Sequence, residues 1–146
     1  MASELFDGDI IRQCLAKGLG FSKEDRMENA RRIAYVANVL ARHGVLVIVA
    51  AISPYQESRN KIRKEVKNYI EIFVDCQLEV CESRDVKGMY KKARAGEIQH
   101  FTGVSAPYEV PTNPDLILKT SEESQTDSLF RIIKLLNSNG HVLNSA

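Results

Sequence analysis

The sequence is short of most features that would assign it at a glance. It has three cysteines, Cys14, Cys76 and Cys81, with no C-x-x-C among them. An odd count without that spacing argues against a disulfide framework and gives no support to a zinc site; it fits free thiols in a reducing cytoplasm. The three histidines, His43, His100 and His141, show no metal-ligand spacing. Charge of one sign is also lacking. Twenty Lys and Arg against nineteen Asp and Glu leave a net charge of +1, which argues against general nucleic-acid binding and makes any basic site local. The longest apolar run, Val45–Ile52, is far too short to span a membrane, and Met1–Glu4 has neither the charged nor the apolar region of a signal peptide. Gly18-Leu19-Gly20-Phe21 is not a dinucleotide-binding G-x-G-x-x-G, and no glycine opens a G-x-x-x-x-G-K-[ST].

What is present reads as one soluble domain with one core, in which strands alternate with helices. Leu5–Arg12 reads as a strand ending in an Asp-Gly turn. Ser22-Lys-Glu-Asp resembles a capping box and starts a helix that Gly44 stops near His43. Its apolar stripe is Met27, Ala30, Ala34, Ala37 and Ala41, widened by Ile33, Val36 and Leu40. Arg26 and Asn29, three apart near its start, can reach one ligand, and that end of a helix favours anions.

Val45–Ile52 is a continuous apolar run rich in β-branched residues and reads as a strand buried on both faces of a parallel sheet. Ser53-Pro54-Tyr55-Gln56 then reads as N-cap, first helical residue and capping-box partner of a polar outer helix over 54–67. Tyr69–Asp75 reads as a strand, Leu78–Ser83 as a short helix, Asp115–Lys119 as a strand, and Thr126–Asn137 as a closing helix. Leu129, Ile132, Ile133 and Leu136 have core spacing in that last helix. Residues 139–146 read as a frayed tail.

The most informative stretch is Arg84–Gly103. Through His100 it carries Arg84, Lys87, Lys91, Lys92 and Arg94 against two acids, with Tyr90 and Phe101 as aromatics and Gly88, Gly96 and Gly103 as hinges. Its apolar residues are too scattered for a core helix, and it suits a flexible segment closing on an anionic, ring-bearing ligand. The polar clusters at Asp7–Arg12, at Ser53 and from Arg84 onward each follow the carboxyl end of a strand or the short helix after it. Open α/β sheets bind ligands at that edge.

Asp7-Gly8-Asp9, Gly20-Phe21-Ser22 with Glu24-Asp25-Arg26 and Glu28-Asn29, Ile52-Ser53-Pro54-Tyr55, Arg84-Asp85-Val86-Lys87-Gly88 with Tyr90–Ile98, Phe101-Thr102-Gly103, and Tyr108-Glu109 with Pro111 together resemble adenylylsulfate kinase. The same domain occurs in bifunctional 3′-phosphoadenylylsulfate synthases. The resemblance runs in order from about Leu5 to Asn137, and a kinase domain is expected over residues 5–138.

It implies an α/β fold of the P-loop nucleoside-triphosphate hydrolase type, a parallel sheet flanked by helices. It also implies transfer of the γ-phosphoryl of ATP, with magnesium, to the 3′-hydroxyl of adenylyl sulfate. The substrate-binding residues it implies are Asp9, Arg12, Phe21, Arg26, Asn29, Ile52, Ser53, Lys87 and Phe101. In that set Asp9 accepts the hydroxyl proton, Phe21 and Phe101 sandwich the adenine, and Arg12 and Arg26 hold the phosphosulfate. Ser53 stands at a position associated in the family with a phosphoserine intermediate. In-line transfer needs no covalent enzyme, and the capping role accounts for the serine. Arg84, Lys91, Lys92 and Arg94 resemble the lid over the nucleotide. Magnesium is expected near Asp7 and Asp9 rather than held by a dedicated ligand set.

The family's first strand, Walker A loop and first helix have no counterpart in these residues. The chain is therefore expected to be N-terminally truncated, to bind ATP poorly, and to expose strand edges unless another segment or a second copy covers them. Family members often dimerise. Three functions remain open: the truncated kinase; a non-catalytic adenylyl sulfate-binding module or regulatory partner of an intact kinase; and another small-metabolite kinase, which the residue-level resemblance disfavours.

Overall fold

A computed structural model describes residues 2–141. Met1 and residues 142–146, most of the expected tail, lie outside the described residues. The elements are β1 (Ser3–Asp7), α1 (Gly8–Cys14), α2 (Lys23–Arg42), β2 (Leu46–Ala50), α3 (Gln56–Glu65), β3 (Ile72–Asp75), α4 (Leu78–Arg84), α5 (Met89–Arg94), β4 (Leu116–Lys119) and α6 (Gln125–Ser138). Instead of one core there are two compact units, Met1–Tyr69 with Ala106–Val110, and Ile70–Ser105 with Pro111–Ala146. Each holds one parallel two-stranded sheet, β1–β2 in the first and β3–β4 in the second, where a single sheet was expected.

In the first unit β1 and β2 run in register from Ser3↔Leu46 to Asp7↔Ala50. α2 forms as its sequence dictates. The Ser22 hydroxyl accepts the Asp25 amide at 3.1 Å, Ile33 and Ala34 are buried, and Gly44 leaves the helix with φ +80°. Two expectations fail here. β2 is not buried on both faces: Ile48 is 51% and Val49 42% exposed. Among the described residues β2 pairs only with β1 and packs on α2, and the successive residues Ile48 and Val49 leave exposed surface on both of its faces.

The expected loop after β1 is a helix instead. The Asp7 carboxylate accepts the amides of Asp9 at 2.9 Å and Ile10 at 3.4 Å, and so caps α1. An aspartate ahead of a glycine offers the same acceptor to a turn or to a helix start. Gly8 is needed there because a Cβ would meet the Ala50 carbonyl oxygen at 2.9 Å.

α3 departs further from expectation. It starts at Gln56, not Pro54, and Ser53 does not cap it. The Glu109 carboxylate does so, accepting the Gln56 amide at 2.7 Å. Nor is α3 simply an outer polar helix, since Ser58 and Arg59 are buried.

In the second unit β3 and β4 run in register from Ile72↔Leu116 to Asp75↔Lys119. The strand expected from Tyr69 begins only at Ile72, because the Glu71 amide donates to the Asp115 side chain at 2.7 Å while the Asp115 amide donates back to the Glu71 carbonyl at 2.8 Å. The basic stretch is not all loop, because α5 interrupts it. The Asp85 carboxylate accepts the amides of Tyr90 and Lys91, each at 3.0 Å, and that anchors a short helix with little apolar content. α6 opens on a capping box between Ser124 and Asp127. Its inner face is Ile132, Ile133, Leu135 and Leu136, all half-buried, whereas Leu129, expected in the core, is 57% exposed. Residues 139–141 close the helix, with the His141 amide donating to the Leu136 carbonyl at 2.9 Å.

Candidate active site

In the first unit the expected cluster forms around Phe21. Arg12 of α1 lays its guanidinium carbon 3.9 Å from the Phe21 ring centroid and donates to the Gly20 carbonyl. Arg26, in the first turns of α2, donates through Nε to the Phe21 carbonyl at 3.1 Å, with its guanidinium carbon 5.5 Å from the ring. The loop that carries Phe21 is fixed by Gly20, whose amide donates to the Asp25 carboxylate at 3.0 Å; a Cβ on Gly20 would meet that oxygen at 2.8 Å. Asp25, expected to complete a capping box with Ser22, is thus engaged with the loop.

Phe21 itself is half exposed. Burial, and then the like charge of Arg12, lower the pKa of Arg26 against the opposing influence of Tyr55. An anion bound between the two arginines would relieve that cost. Asn29 lies on the face of Arg26, as its spacing implies, and its buried Oδ1 has no hydrogen-bond partner among the described residues. Such an atom is costly unless a donor arrives.

Asp9 is exposed at the second residue of α1. β1 and β2 are parallel and in register to Asp7↔Ala50, so Asp9 and Ile52 follow the same sheet edge. Ile52 is 60% exposed. Ser53 has φ +42°, a left-handed conformation that a side chain with a Cβ adopts only under constraint.

The constraint comes from residues that sequence reasoning left without a role. Arg59 donates to the Ser53 carbonyl at 2.6 Å, to Gln56 Oε1 at 3.0 Å and to the Glu109 carbonyl at 2.6 Å. The Glu109 amide donates to the Pro54 carbonyl at 2.8 Å. Arg59 read as one of many cations on a polar helix. Its only local signal was the i, i+3 spacing from Gln56, and Glu109 was noted only within Tyr108-Glu109.

The second unit holds the remaining candidate residues. Arg84, at the end of α4, donates to the Thr120 carbonyl at 2.9 Å and reaches the Cys76 sulfur at 4.0 Å. Arg94 pairs with Glu82, whose hydrogen bond raises the arginine's pKa. Lys87, Lys91 and Lys92 are solvent-exposed. Burial acts to raise the Asp85 pKa, but the amides of Lys91, Tyr90 and Met89 outweigh it and hold the carboxyl below its usual value. Phe101 meets Tyr90 edge-on, with centroids 5.1 Å apart and planes at 74°, and its amide donates to the Ser105 hydroxyl at 2.9 Å.

For magnesium, Asp7 already uses one carboxylate oxygen on the α1 cap, and no group of three or more His, Cys, Asp or Glu that could hold a metal occurs among the described residues. The residues present do not make a magnesium site of their own. No helix among the described residues is long and apolar enough to cross a membrane.

Comparison with known proteins adds the following. A family model described as adenylylsulphate kinase matches residues 1–119. The chain is 56% identical over 139 residues to an adenylyl-sulfate kinase of Synechococcus sp., covering 95% of this chain and 79% of that one. It is 56% identical over 136 residues to an adenylyl-sulfate kinase of Deinococcus deserti, covering 93% of this chain and 75% of that one. The solved structure of the APS kinase of Mycobacterium tuberculosis in complex with AMPPNP and APS matches with a TM-score of 0.87 at 47% identity, over 93% of this chain and 80% of that one.

Proposed function

Since this chain belongs to the adenylylsulphate kinase family, we propose that it transfers the γ-phosphoryl of ATP to the 3′-hydroxyl of adenylyl sulfate, giving 3′-phosphoadenylyl sulfate for sulfate activation. The observation that carries this reading is Phe21 held beside the guanidinium groups of Arg12 and Arg26. A half-exposed aromatic ring offers a surface to a purine, and adjacent arginines offer charge and paired donors to a phosphosulfate. The mycobacterial relative was solved with AMPPNP and APS, which supports the same ligand pair here.

In this reading Asp9, Arg12, Phe21, Arg26, Asn29, Ile52 and Ser53 of the first unit bind substrate, and Lys87 and Phe101 of the second have the same role. Arg84, Lys91, Lys92 and Arg94 serve the nucleotide. Asp9 takes the proton of the 3′-hydroxyl as its oxygen attacks the γ-phosphorus in line, and the bond to the departing ADP oxygen breaks. Cations offset the charge on the transferred group. Ser53 now has no capping duty to explain it, and its constrained backbone is of the kind found at ligand sites, which favours a binding role over a phosphoserine. Magnesium enters with the phosphates of ATP, not on a protein-built site. The kinase domain is assigned to residues 5–138, in the cytoplasm.

A coupled assay with magnesium-ATP and adenylyl sulfate tests the reading through ADP release. A second reading, binding without transfer, is favoured by one observation: these 146 residues contain no G-x-x-x-x-G-K-[ST] to cradle the ATP phosphates. Calorimetry separates the two. Heat on adding adenylyl sulfate without turnover selects the binding module, and no heat at millimolar ligand together with no turnover sinks both.

A further inference from the structure

Cys76 and Cys81 stand apart from the residues discussed above. Gln77 is the N-cap of α4 and Leu78 its first residue. Cys76 is therefore the residue before the cap, and Cys81 the fourth residue of the helix. Side chains at these two positions meet across a helix start, where an apolar pair commonly staples the entering chain. The contacts agree with that placement. The Cys81 amide donates to the Gln77 carbonyl at 3.0 Å, and the Cys81 sulfur lies 4.0 Å from the Cys76 carbonyl oxygen. The Cys76 sulfur lies 4.0 Å from Arg84 Nη1. Burial, and then hydrogen bonding to the Cys76 thiol, push the Cys81 thiol up, while the Tyr90 hydroxyl and the Arg84 charge act the other way. Both cysteines are half-buried, within reach of a small solute, and Cys14 lies in the other unit.

We infer that Cys76 and Cys81 form a modification site, a thiol pair that closes to an intrachain disulfide by exchange with a low-molecular-weight disulfide such as oxidised glutathione. Exchange starts at Cys76, whose sulfur faces the Arg84 cation. Its thiolate attacks one sulfur of oxidised glutathione and expels a glutathione thiolate. The Cys81 thiolate then attacks the Cys76 sulfur of the mixed disulfide and expels the glutathione remaining there. The protein loses two protons and two electrons, and one glutathione disulfide becomes two glutathione thiols. Closure ties the residue before the α4 cap to the helix's second turn and takes the Cys76 thiol away from Arg84. None of this depends on the proposed reaction.

The test is incubation of the native full chain with oxidised glutathione, followed by alkylation, intact-mass measurement and peptide mapping. The expected product is lighter by two hydrogens, carries a Cys76–Cys81 linked peptide, leaves Cys14 outside the link and is restored by dithiothreitol. Intramolecular closure should exceed mixed disulfide at these two residues by about tenfold or more, as high effective concentration requires. Cys76→Ser and Cys81→Ser chains should never lose the two hydrogens. Separate glutathione adducts at Cys76 and Cys81 of the wild-type chain, or links made through Cys14, overturn the inference. Because the wild-type chain supplies the deciding measurement, poor folding of a variant cannot mask the result.

Discussion

Replacing Arg59 by methionine removes three hydrogen bonds from one 3%-exposed side chain while roughly keeping its volume. The Ser53 and Glu109 carbonyls and the Gln56 side-chain oxygen each lose this donor. Unmet acceptors cost about 1–3 kcal/mol each when buried, and these are only partly so, which places each near the lower bound. Against that, the methionine avoids burying a guanidinium charge and packs its thioether, recovering about 1 kcal/mol. The net loss should be about 2 kcal/mol, a fall in melting temperature of roughly 4–8 °C for a chain of this length. Urea denaturation followed by circular dichroism gives the magnitude. Hydrogen exchange gives the location, with faster exchange expected over residues 53–65 and little change over β3 and β4. Arg59→Lys should recover only part of the loss, because an ammonium cannot span three acceptors as a guanidinium fork does. An Arg59→Met chain within about 0.5 kcal/mol of wild type would refute the claim that this residue shapes the Ser53 turn.

Three further predictions test other parts of the molecule. Hydrogen bonds from Arg31 first and then Arg32 pull the Glu28 carboxyl down from 4.5 to about 2. A pKa depressed on folding contributes stability that is present above the ordinary value and lost as pH falls from about 4.5 to about 2. Glu28→Gln should therefore flatten the acid limb of a melting-temperature–pH curve in that window, and an unchanged limb would contradict the assignment. Gly8→Ala forces a Cβ to 2.9 Å from the Ala50 carbonyl oxygen and should cost about 1–3 kcal/mol by chemical denaturation. Arg26→Ala and Lys87→Ala should each weaken adenylyl sulfate binding by calorimetry about tenfold or more. Lys61→Ala, which removes a cation paired with Glu57 at 3.1 Å, should leave it nearly unchanged; equal effects would reduce the site to charged surface.

Where the deciding chemistry is local, the sequence is readable. α2 carries its own cap, stripe and stop within residues 22–44, and the structure follows it except at Ala41, the last residue of the stripe, which is exposed. The Arg12, Phe21 and Arg26 grouping was legible because short motifs carry it. The start of α3 was not, because its cap comes from Glu109, 53 positions away from Gln56. Local capping chemistry therefore pointed to Ser53, and a lysine- and arginine-rich helix gave no hint that Arg59 alone turns inward. β2 was misjudged for a different reason. A run of β-branched residues tells what a strand tolerates on its faces, whereas burial depends on how many neighbours it finds. α5 was missed because its anchor is one carboxylate, Asp85, and not an apolar stripe.

The exposed apolar residues of β2 have a practical consequence for anyone measuring this protein. Ile48, Val49, Leu5 and Ile52 present apolar surface to solvent in the folded first unit, as Val74, Ile117, Leu129 and Phe130 do in the second. Environment-sensitive dyes that brighten on apolar surface will bind the native chain, so a dye-reported melt starts from a high baseline and understates the transition. The chain has no tryptophan to serve as an intrinsic reporter instead. Thermal and ligand screens on it call for circular dichroism, calorimetry or hydrogen exchange, and a weak dye signal is no sign of an unfolded sample.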